Sequence, residues 1–183
     1  MTRIGGELPK DHLLVGVTMG SDSDLKIMRH VGSTLDEFGV PYEERIISAH
    51  RTPEAMMKYG REAARRGLQV LVAGAGGSAH LPGMLASETR LPVLGVAIES
   101  SPDPTNAALG SMIRMPKGAP LATMGKNEAA AANAGLEAVR ILALSDPELA
   151  EQYEEWMRRQ AREVEEKDLR LQSEGAAAYL SNT

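Results

Sequence analysis

Residues 13–24 read LLVGVTMGSDSD, a short aliphatic run that ends at a glycine and is followed at once by hydroxyl and carboxylate side chains. Its length and composition are typical of a strand buried on both faces of a parallel sheet. After it we predict a helix that is capped by Ser23, reaches about Phe38 and stops at Gly39. This order of strand, polar turn and helix decides the fold, because the chain repeats it.

The second copy of this order has a strand at 42–47, after which Thr52-Pro53-Glu54 supplies a helix cap, a proline at the first helical position and an acid in the first turn. The third has a strand at 68–73, a glycine-rich turn and a short helix at 82–87. Five further segments follow: strands at 93–98 and 121–124, helices at 107–113 and 127–144, and a loop at 99–106. The repeated β-α order predicts a three-layer α/β/α fold around a parallel sheet.

Composition narrows the class of protein. A chain of 183 residues that is 43% hydrophobic is long enough for one domain with a sizeable core. A net charge of −5 and 3% aromatic residues argue against a nucleic-acid partner. The absence of cysteine excludes disulfides, zinc-thiolate sites and a thiol nucleophile. Because we find neither a signal sequence nor an apolar run long enough for a bilayer, we expect no membrane association and a cytoplasmic location.

The C-terminal part of the chain differs from the rest. We expect a flexible N-terminus at 1–12, an α/β domain at 13–145, and a helical arm and tail at 146–183. Asp146-Pro147-Glu148 is a strong helix start, and the helix could extend to about Gln172. Ten acidic and five basic residues leave it only a narrow apolar stripe. Either this helix is solvated and lies on its own domain, or it docks on a neighbouring subunit; in both cases we expect a homo-oligomer.

The first polar turn, Gly20-Ser21-Asp22-Ser23-Asp24, has the properties of an anion cradle. The glycine allows close backbone approach, the serines can donate to phosphate oxygens, and the following helix presents free N–H groups. Asp24 would repel a phosphate but could accept hydrogen bonds from ribose hydroxyls. The alternative is that Ser21 and Ser23 only cap the helix and that Asp24 complements its dipole.

The second turn, Ser48-Ala49-His50-Arg51-Thr52-Pro53, adds a guanidinium and an imidazole. Arg51 beside a helix N-terminus is a second group suited to bind phosphate. A lone histidine is usually structural, but His50 lies on a turn at the predicted carboxyl edge of the sheet, where the core seldom requires it.

The third turn, Gly74-Ala75-Gly76-Gly77-Ser78-Ala79-His80, resembles a dinucleotide fingerprint but lacks its third glycine and its ribose-binding acid. Its small residues offer bare backbone N–H groups to a carboxylate or a flat heterocycle. The alternative is a tight structural turn. His50 and His80 could meet in space, but neither turn places an acid to complete a metal site, so we predict no metal.

In this order the turns closely resemble the class I PurE family, the N5-carboxyaminoimidazole ribonucleotide mutases. The resemblance covers about residues 13–145. It is carried by Met19–Asp24, Ser48–Pro53, Ala73–Met84 and Leu91–Val96, with Met115-Pro116, Gly118 and Ala132-Asn133-Ala134 beyond. It implies a flavodoxin-like fold, a homo-octamer, and transfer of a carboxyl group from the exocyclic nitrogen to C4 of an aminoimidazole ribonucleotide without a cofactor.

The resemblance also implies a role for each site residue. His50 would be the catalyst of proton transfer. The substrate-binding residues it implies are Ser21, Ser23, Asp24, Ser48, Ala49, Arg51, Gly74, Ala75, Gly76, Gly77, His80 and Leu81. Among them Ser21 and Arg51 would hold the 5′-phosphate with help from Ser48, and Asp24 would hold the ribose. The turn at 74–77 and His80 would line the pocket for the base and the carboxylate.

This chain departs from the family pattern after the fourth strand. An Asp-Ser pair is typical of the family where this chain has Ala107-Ala108, and glutamine is typical where it has Arg114. Val-Pro-Val is typical where this chain reads Val96-Ala-Ile-Glu99. We expect these changes to affect subunit packing or a covering loop and not proton transfer.

Three other functions remain open from the sequence. The first is a class II aminoimidazole ribonucleotide carboxylase, which uses free CO2. In that class the second turn resembles Ser-Ala-His-Lys-Thr, with lysine where this chain has Arg51, so Arg51 favours the mutase. A carboxylase of pyridine nucleotides usually has an extra N-terminal region. A flavodoxin-like nucleotide-binding module without enzymatic activity would need neither His50 nor the glycine-rich turn.

Overall fold

The structure is a computed structural model that describes residues 13–99 and 106–181. Its strands are β1 (Val15–Met19), β2 (Tyr42–Ile46), β3 (Val70–Gly76), β4 (Val93–Ile98) and β5 (Ala122–Lys126). Its helices are α1 (Leu25–Glu37), α2 (Pro53–Ala63), α3 (His80–Glu88), α4 (Ala107–Ile113), α5 (Asn127–Ala143), α6 (Pro147–Glu174) and α7 (Ala176–Ser181). The predicted flexible segment 1–12 and most of the predicted loop at 99–106 lie outside the described residues.

The five strands form one parallel sheet in the order β2-β1-β3-β4-β5. The chain runs from β1 to β2 on one side and then returns to place β3 on the other side of β1. Strand order therefore reverses between β1 and β3. In open α/β sheets, ligands bind in the crevice outside the carboxyl ends of the strands at such a switch point.

Helices cover both faces of the sheet because the direction of the crossovers changes at β1. A Cβ on Gly135 of α5 would lie 2.7 Å from Thr34 of α1, so these two helices pack closely. On the other face a Cβ on Gly60 of α2 would lie 2.9 Å from Glu88 of α3. Every residue of β1 and β4 is buried, which accounts for their continuous aliphatic sequence. The predicted flavodoxin-like α/β fold is confirmed.

Most predicted elements are present, with shifted ends. Ser21, and not Ser23, is the N-cap residue of the first turn, because its hydroxyl accepts a hydrogen bond from the Ser23 N–H. α3 begins at His80, two residues before the predicted start. Pro82 is compatible with this start because the first turn of a helix does not need its N–H. β5 begins and ends later than predicted, and α6 continues past Gln172 to Glu174.

The chain divides into two compact units, residues 1–142 and 143–183. The second unit contains α6, which Asp146 caps by accepting hydrogen bonds from the N–H groups of Glu148 and Leu149. Ion pairs line this helix, including Arg162 with Glu155 at 2.7 Å. Within the described part of the chain, no helix has the length and apolar character needed to cross a bilayer.

Candidate functional site

The three polar turns meet at the switch point of the sheet and enclose a cavity of about 390 Å³. This volume is within the range of small-molecule sites. The residues that line the cavity are Gly20, Ser21, Asp24, Ser48, Ala49, His50, Arg51, Ala75, Gly76, Gly77, Ala79, His80 and Leu81. Gly20 and Leu81, which are 61 positions apart in the sequence, therefore share one site.

The first turn is held in shape by a capping box. The Ser21 hydroxyl accepts from the Ser23 N–H at 3.4 Å, and the Asp24 carboxylate accepts from the Ser21 N–H at 3.1 Å. The capping role considered from the sequence is thus present for Ser21, while Ser21 and Asp24 also face the cavity. Partial burial raises the pKa of the Asp24 carboxyl, opposed in part by the hydrogen bonds it accepts.

Asp24→Asn should stabilise the unliganded protein at neutral pH. An amide still accepts from the Ser21 N–H but bears no charge to desolvate. Because the pKa of Asp24 is raised, the cost of burying its charge applies above that pKa and is relieved as pH falls below the ordinary value of 3.8. We expect Tm to rise on the order of 1–2 °C at pH 7 after solvent screening, with the difference closing toward pH 3. Calorimetry across this range would contradict the explanation if the difference were independent of pH.

Arg51 connects the first and second turns. Its guanidinium donates from an Nη to the Gly20 carbonyl oxygen at 2.9 Å and from Nε to the Ser48 hydroxyl at 3.4 Å. The Ser48 hydroxyl also accepts from the Arg51 backbone N–H at 3.2 Å. Thr52 does not cap α2 with its side chain as predicted, because its hydroxyl accepts from the Ser48 N–H and donates to the Ser48 carbonyl. A cation is therefore fixed beside Ser21 before any ligand arrives.

His50 and His80 form a hydrogen-bonded pair that links the second and third turns. His50 Nε2 lies 2.7 Å from His80 Nδ1, and the rings meet edge to face with an interplanar angle of 88°. One of the two nitrogens must donate and the other accept, so at least one ring carries a proton on this bond. The sequence indicated only that the two residues could meet. An imidazole so held can exchange a proton with a ligand through its other nitrogen.

The third turn brings main chain close to the cavity. Gly77 has φ +58°, and Ala79 adopts the left-handed region at φ +45° before α3 begins. A Cβ on Gly76 would lie 2.9 Å from the Ile98 carbonyl oxygen, so a side chain there would have to displace β4. At Gly76 and Gly77 the turn thus presents backbone and not side chains to the cavity, as expected of a carboxylate or heterocycle site.

Two of the predicted binding residues do not line the cavity. Gly74 is buried in β3, where a Cβ would clash with the sulfur of Met28, so this glycine permits packing against α1. Ser23 is exposed, and its contribution is the backbone N–H that Ser21 accepts from. Conversely, Ala79 was not among the predicted binding residues. Its position depends on a left-handed backbone that its sequence does not signal.

Comparisons with known proteins place this chain among its relatives. The family model described as AIR carboxylase matches residues 14–163. The chain is 50% identical over 168 residues to the N5-carboxyaminoimidazole ribonucleotide mutase of Pyrococcus horikoshii, covering 92% of this chain and 94% of that one. It is 45% identical over 169 residues to the phosphoribosylaminoimidazole carboxylase of Saccharomyces cerevisiae, covering 92% of this chain but 29% of that protein.

Solved structures of the same family resemble this chain in fold. A crystal structure of Treponema denticola PurE superposes with a TM-score of 0.76 at 31% identity, covering 86% of this chain and 98% of that one. The resemblance predicted from the three turns is confirmed. With a family match over most of its length and half of its residues shared with a mutase, this chain belongs to the AIR carboxylase (PurE) family.

Proposed function

We propose that this protein is an N5-carboxyaminoimidazole ribonucleotide mutase, an isomerase that moves a carboxyl group from the exocyclic nitrogen to C4 of the aminoimidazole ring in purine biosynthesis. One observation carries the proposal: the His50–His80 pair, the Arg51 guanidinium and the glycine-rich turn line the same cavity. The mutase relatives, such as that of Pyrococcus horikoshii, support it over nearly the full chain.

The first and second turns would bind the sugar phosphate. Arg51 and the hydroxyls of Ser21 and Ser48 supply donors to the 5′-phosphate. The guanidinium is already placed by its bond to the Gly20 carbonyl, so little conformational freedom is lost when the phosphate binds. Asp24 accepts hydrogen bonds from the ribose hydroxyls and is kept away from the phosphate by its bond to the Ser21 N–H.

The reaction needs one proton to be delivered and one to be removed. His50 donates a proton to the exocyclic nitrogen, the N–C bond breaks, and CO2 is released beside the ring. The electrons of the now electron-rich ring form the C4–C bond, and His50 removes the proton from C4 to restore aromaticity. The atoms and charges of substrate and product balance, so this route requires no cofactor.

His80 and the third turn would retain the transferred group. The hydrogen bond between His80 and His50 fixes the ring of His50. Backbone N–H groups at Gly76 and Gly77 receive the carboxylate before and after transfer, and hold CO2 near C4 in between. Retention at an effective concentration of roughly 10⁵ M or more is what makes recapture competitive with escape.

The proposal extends to assembly and location. We propose a homo-oligomer, an octamer as in the family resemblance, that acts in the cytoplasm. α6 supports an assembly role because Met157, Val164 and Leu169 are exposed apolar side chains on a helix that is otherwise charged. Light scattering on the full chain tests this, and a monomer at micromolar concentration would contradict it.

Two other functions remain to be separated by experiment. The Saccharomyces cerevisiae relative is named a carboxylase, which supports an aminoimidazole ribonucleotide carboxylase that uses free CO2 as the second candidate. A nucleotide-binding module without activity is the third. The decisive assay gives purified protein either N5-carboxyaminoimidazole ribonucleotide or aminoimidazole ribonucleotide with bicarbonate, and follows absorbance.

We expect conversion of the N-carboxylated ribonucleotide at micromolar concentration and little use of aminoimidazole ribonucleotide at low bicarbonate. Preferential use of the second substrate pair would identify the carboxylase. Binding without turnover of either would identify the module.

A further inference from the structure

An ion-paired corner lies where β4 and β5 end, and none of its residues is among the predicted site residues. We call Glu99, Asn106, Lys126 and Asn127 the Lys126 corner. Lys126 Nζ donates to both Glu99 carboxylate oxygens, at 3.0 and 3.1 Å, and to the Asn106 Oδ1 at 2.6 Å. The side chains of Glu99 and Lys126 are 12% and 35% exposed. Partial burial of two charges is weak support for stability, so the corner calls for another explanation.

The pairing of β4 with β5 is irregular at the Lys126 corner, and the side chain of Asn127 bonds to the backbone there. Gly95 pairs with Thr123 and Ala97 pairs with Lys126, so β5 places two residues opposite Val96. Such bulges bend a strand and often re-aim residues beside active sites. Asn127 follows in the left-handed region at φ +60°, and its Oδ1 accepts from the Glu99 backbone N–H at 2.9 Å. The peptide that joins Ile98 to Glu99 is therefore fixed by Asn127.

This fixed peptide touches the candidate site. Its carbonyl oxygen, that of Ile98, would lie 2.9 Å from a Cβ on Gly76, and Ile98 is the register partner of Gly76 in the sheet. Gly76 lines the cavity and begins the turn that presents backbone N–H groups. A shift of the 98–99 peptide would therefore be transmitted to the main chain of Gly76.

We propose that Lys126 and Asn127 are positioning residues. By holding the 98–99 peptide against Gly76, they set the direction of the N–H groups of the third turn toward the carboxyl group of the ligand. The inference rests on the proposed function, since it assigns those N–H groups to a carboxylate. A purely structural role of Lys126 and Asn127 would affect binding of the whole ligand. The positioning role affects only binding of the carboxyl group, which is the part of the ligand that the third turn binds.

Asn127→Gly is the sharpest test because glycine adopts φ +60° without strain, so only the side-chain acceptor is lost. Lys126→Met removes the cation of the corner, whereas Lys126→Arg keeps a cation there. Arg140→Met is the control, because it removes an exposed i,i+3 ion pair on α5. Calorimetry would measure Kd for 4-carboxyaminoimidazole ribonucleotide and for aminoimidazole ribonucleotide, which lacks the carboxyl group.

We expect Kd for the carboxylated ligand to rise roughly 5–10-fold in Asn127→Gly and Lys126→Met, with Kd for the other ligand within about twofold of wild type. Lys126→Arg and Arg140→Met should resemble wild type. Equal changes for both ligands, or none, would overturn the inference; if Lys126→Met does not fold, Asn127→Gly decides. Failure of the wild-type protein to bind either ribonucleotide would instead contradict the proposed function.

Discussion

His50→Asn should abolish interconversion of the two carboxylated ribonucleotides while leaving their binding nearly intact. Asparagine keeps a polar group of smaller size in place of the imidazole, whose Nε2 lies 2.7 Å from His80 Nδ1, but it cannot exchange a proton at neutral pH. Removal of a general acid and base costs roughly 10²–10⁴-fold in rate, and in the proposed mechanism one residue serves both steps. The expected result is a fall in kcat of at least that size with Kd changed by less than about threefold.

The matched control for this variant is His30→Asn, which removes an imidazole from α1 outside the cavity. Turnover by the control should equal that of wild type. Near-normal kcat in His50→Asn would remove His50 as the catalyst. Loss of binding together with turnover would instead assign His50 to ligand recognition.

Arg51→Ala should have the second-largest effect, on affinity and not on chemistry. The variant loses the proposed charge-assisted bond to the phosphate, and it also loses the hydrogen bond between Arg51 and the Gly20 carbonyl oxygen. Hydrogen bonds to charged groups contribute about 1.5–3 kcal/mol, which corresponds to a rise in Kd of roughly 10–100-fold. Calorimetric titration with the ribonucleotide and with the corresponding nucleoside separates the phosphate contribution from the rest.

The nucleoside should bind the variant and the wild type alike, since it has no phosphate to lose. Arg90→Ala, at an exposed arginine outside the cavity, is the control for the change in net charge. An unchanged Kd for the ribonucleotide would show that Arg51 serves only to join the two turns. Arg51→Lys should recover part of the affinity, because lysine keeps the charge without the forked geometry.

The sequence predicted the convergence of the three turns because strands of a parallel sheet end at one edge, whichever residues they contain. It therefore placed His50, Arg51 and Gly76 at one site before any distance was known. Local signals also located α4 at its observed bounds. Such features depend on strand and helix periodicity and on turn chemistry, which the sequence displays directly.

Features that depend on distant packing were not predictable. Gly74 was assigned to the pocket, but it is a glycine because Met28 occupies the space where its side chain would be. The bond between His50 and His80 depends on the register of two strands, and so does that between Lys126 and Glu99, which are 27 residues apart. A pattern in a single sequence does not show which distant residues come into contact.

The departures from the family pattern have a partial explanation in packing. Ala108, in place of a polar residue, is 3% exposed on α4 and belongs to the core. Arg114 donates from Nε to the Gly110 carbonyl one helical turn earlier and so closes α4. Ala108 therefore contributes to the packing of α4 on the core, and Arg114 contributes to the end of that helix. What they mean for contacts between subunits stays a prediction.

Strand β2 forms one border of the sheet, and three of its five residues are charged. The main-chain N–H and C=O groups on the outer side of β2 face away from β1, so a strand of another molecule could pair with them. Charged side chains on an edge strand, here two glutamates and an arginine, discourage such pairing and so help natural proteins to avoid fibril-like growth. Copies of this chain that associate are therefore not expected to do so by adding strands at β2.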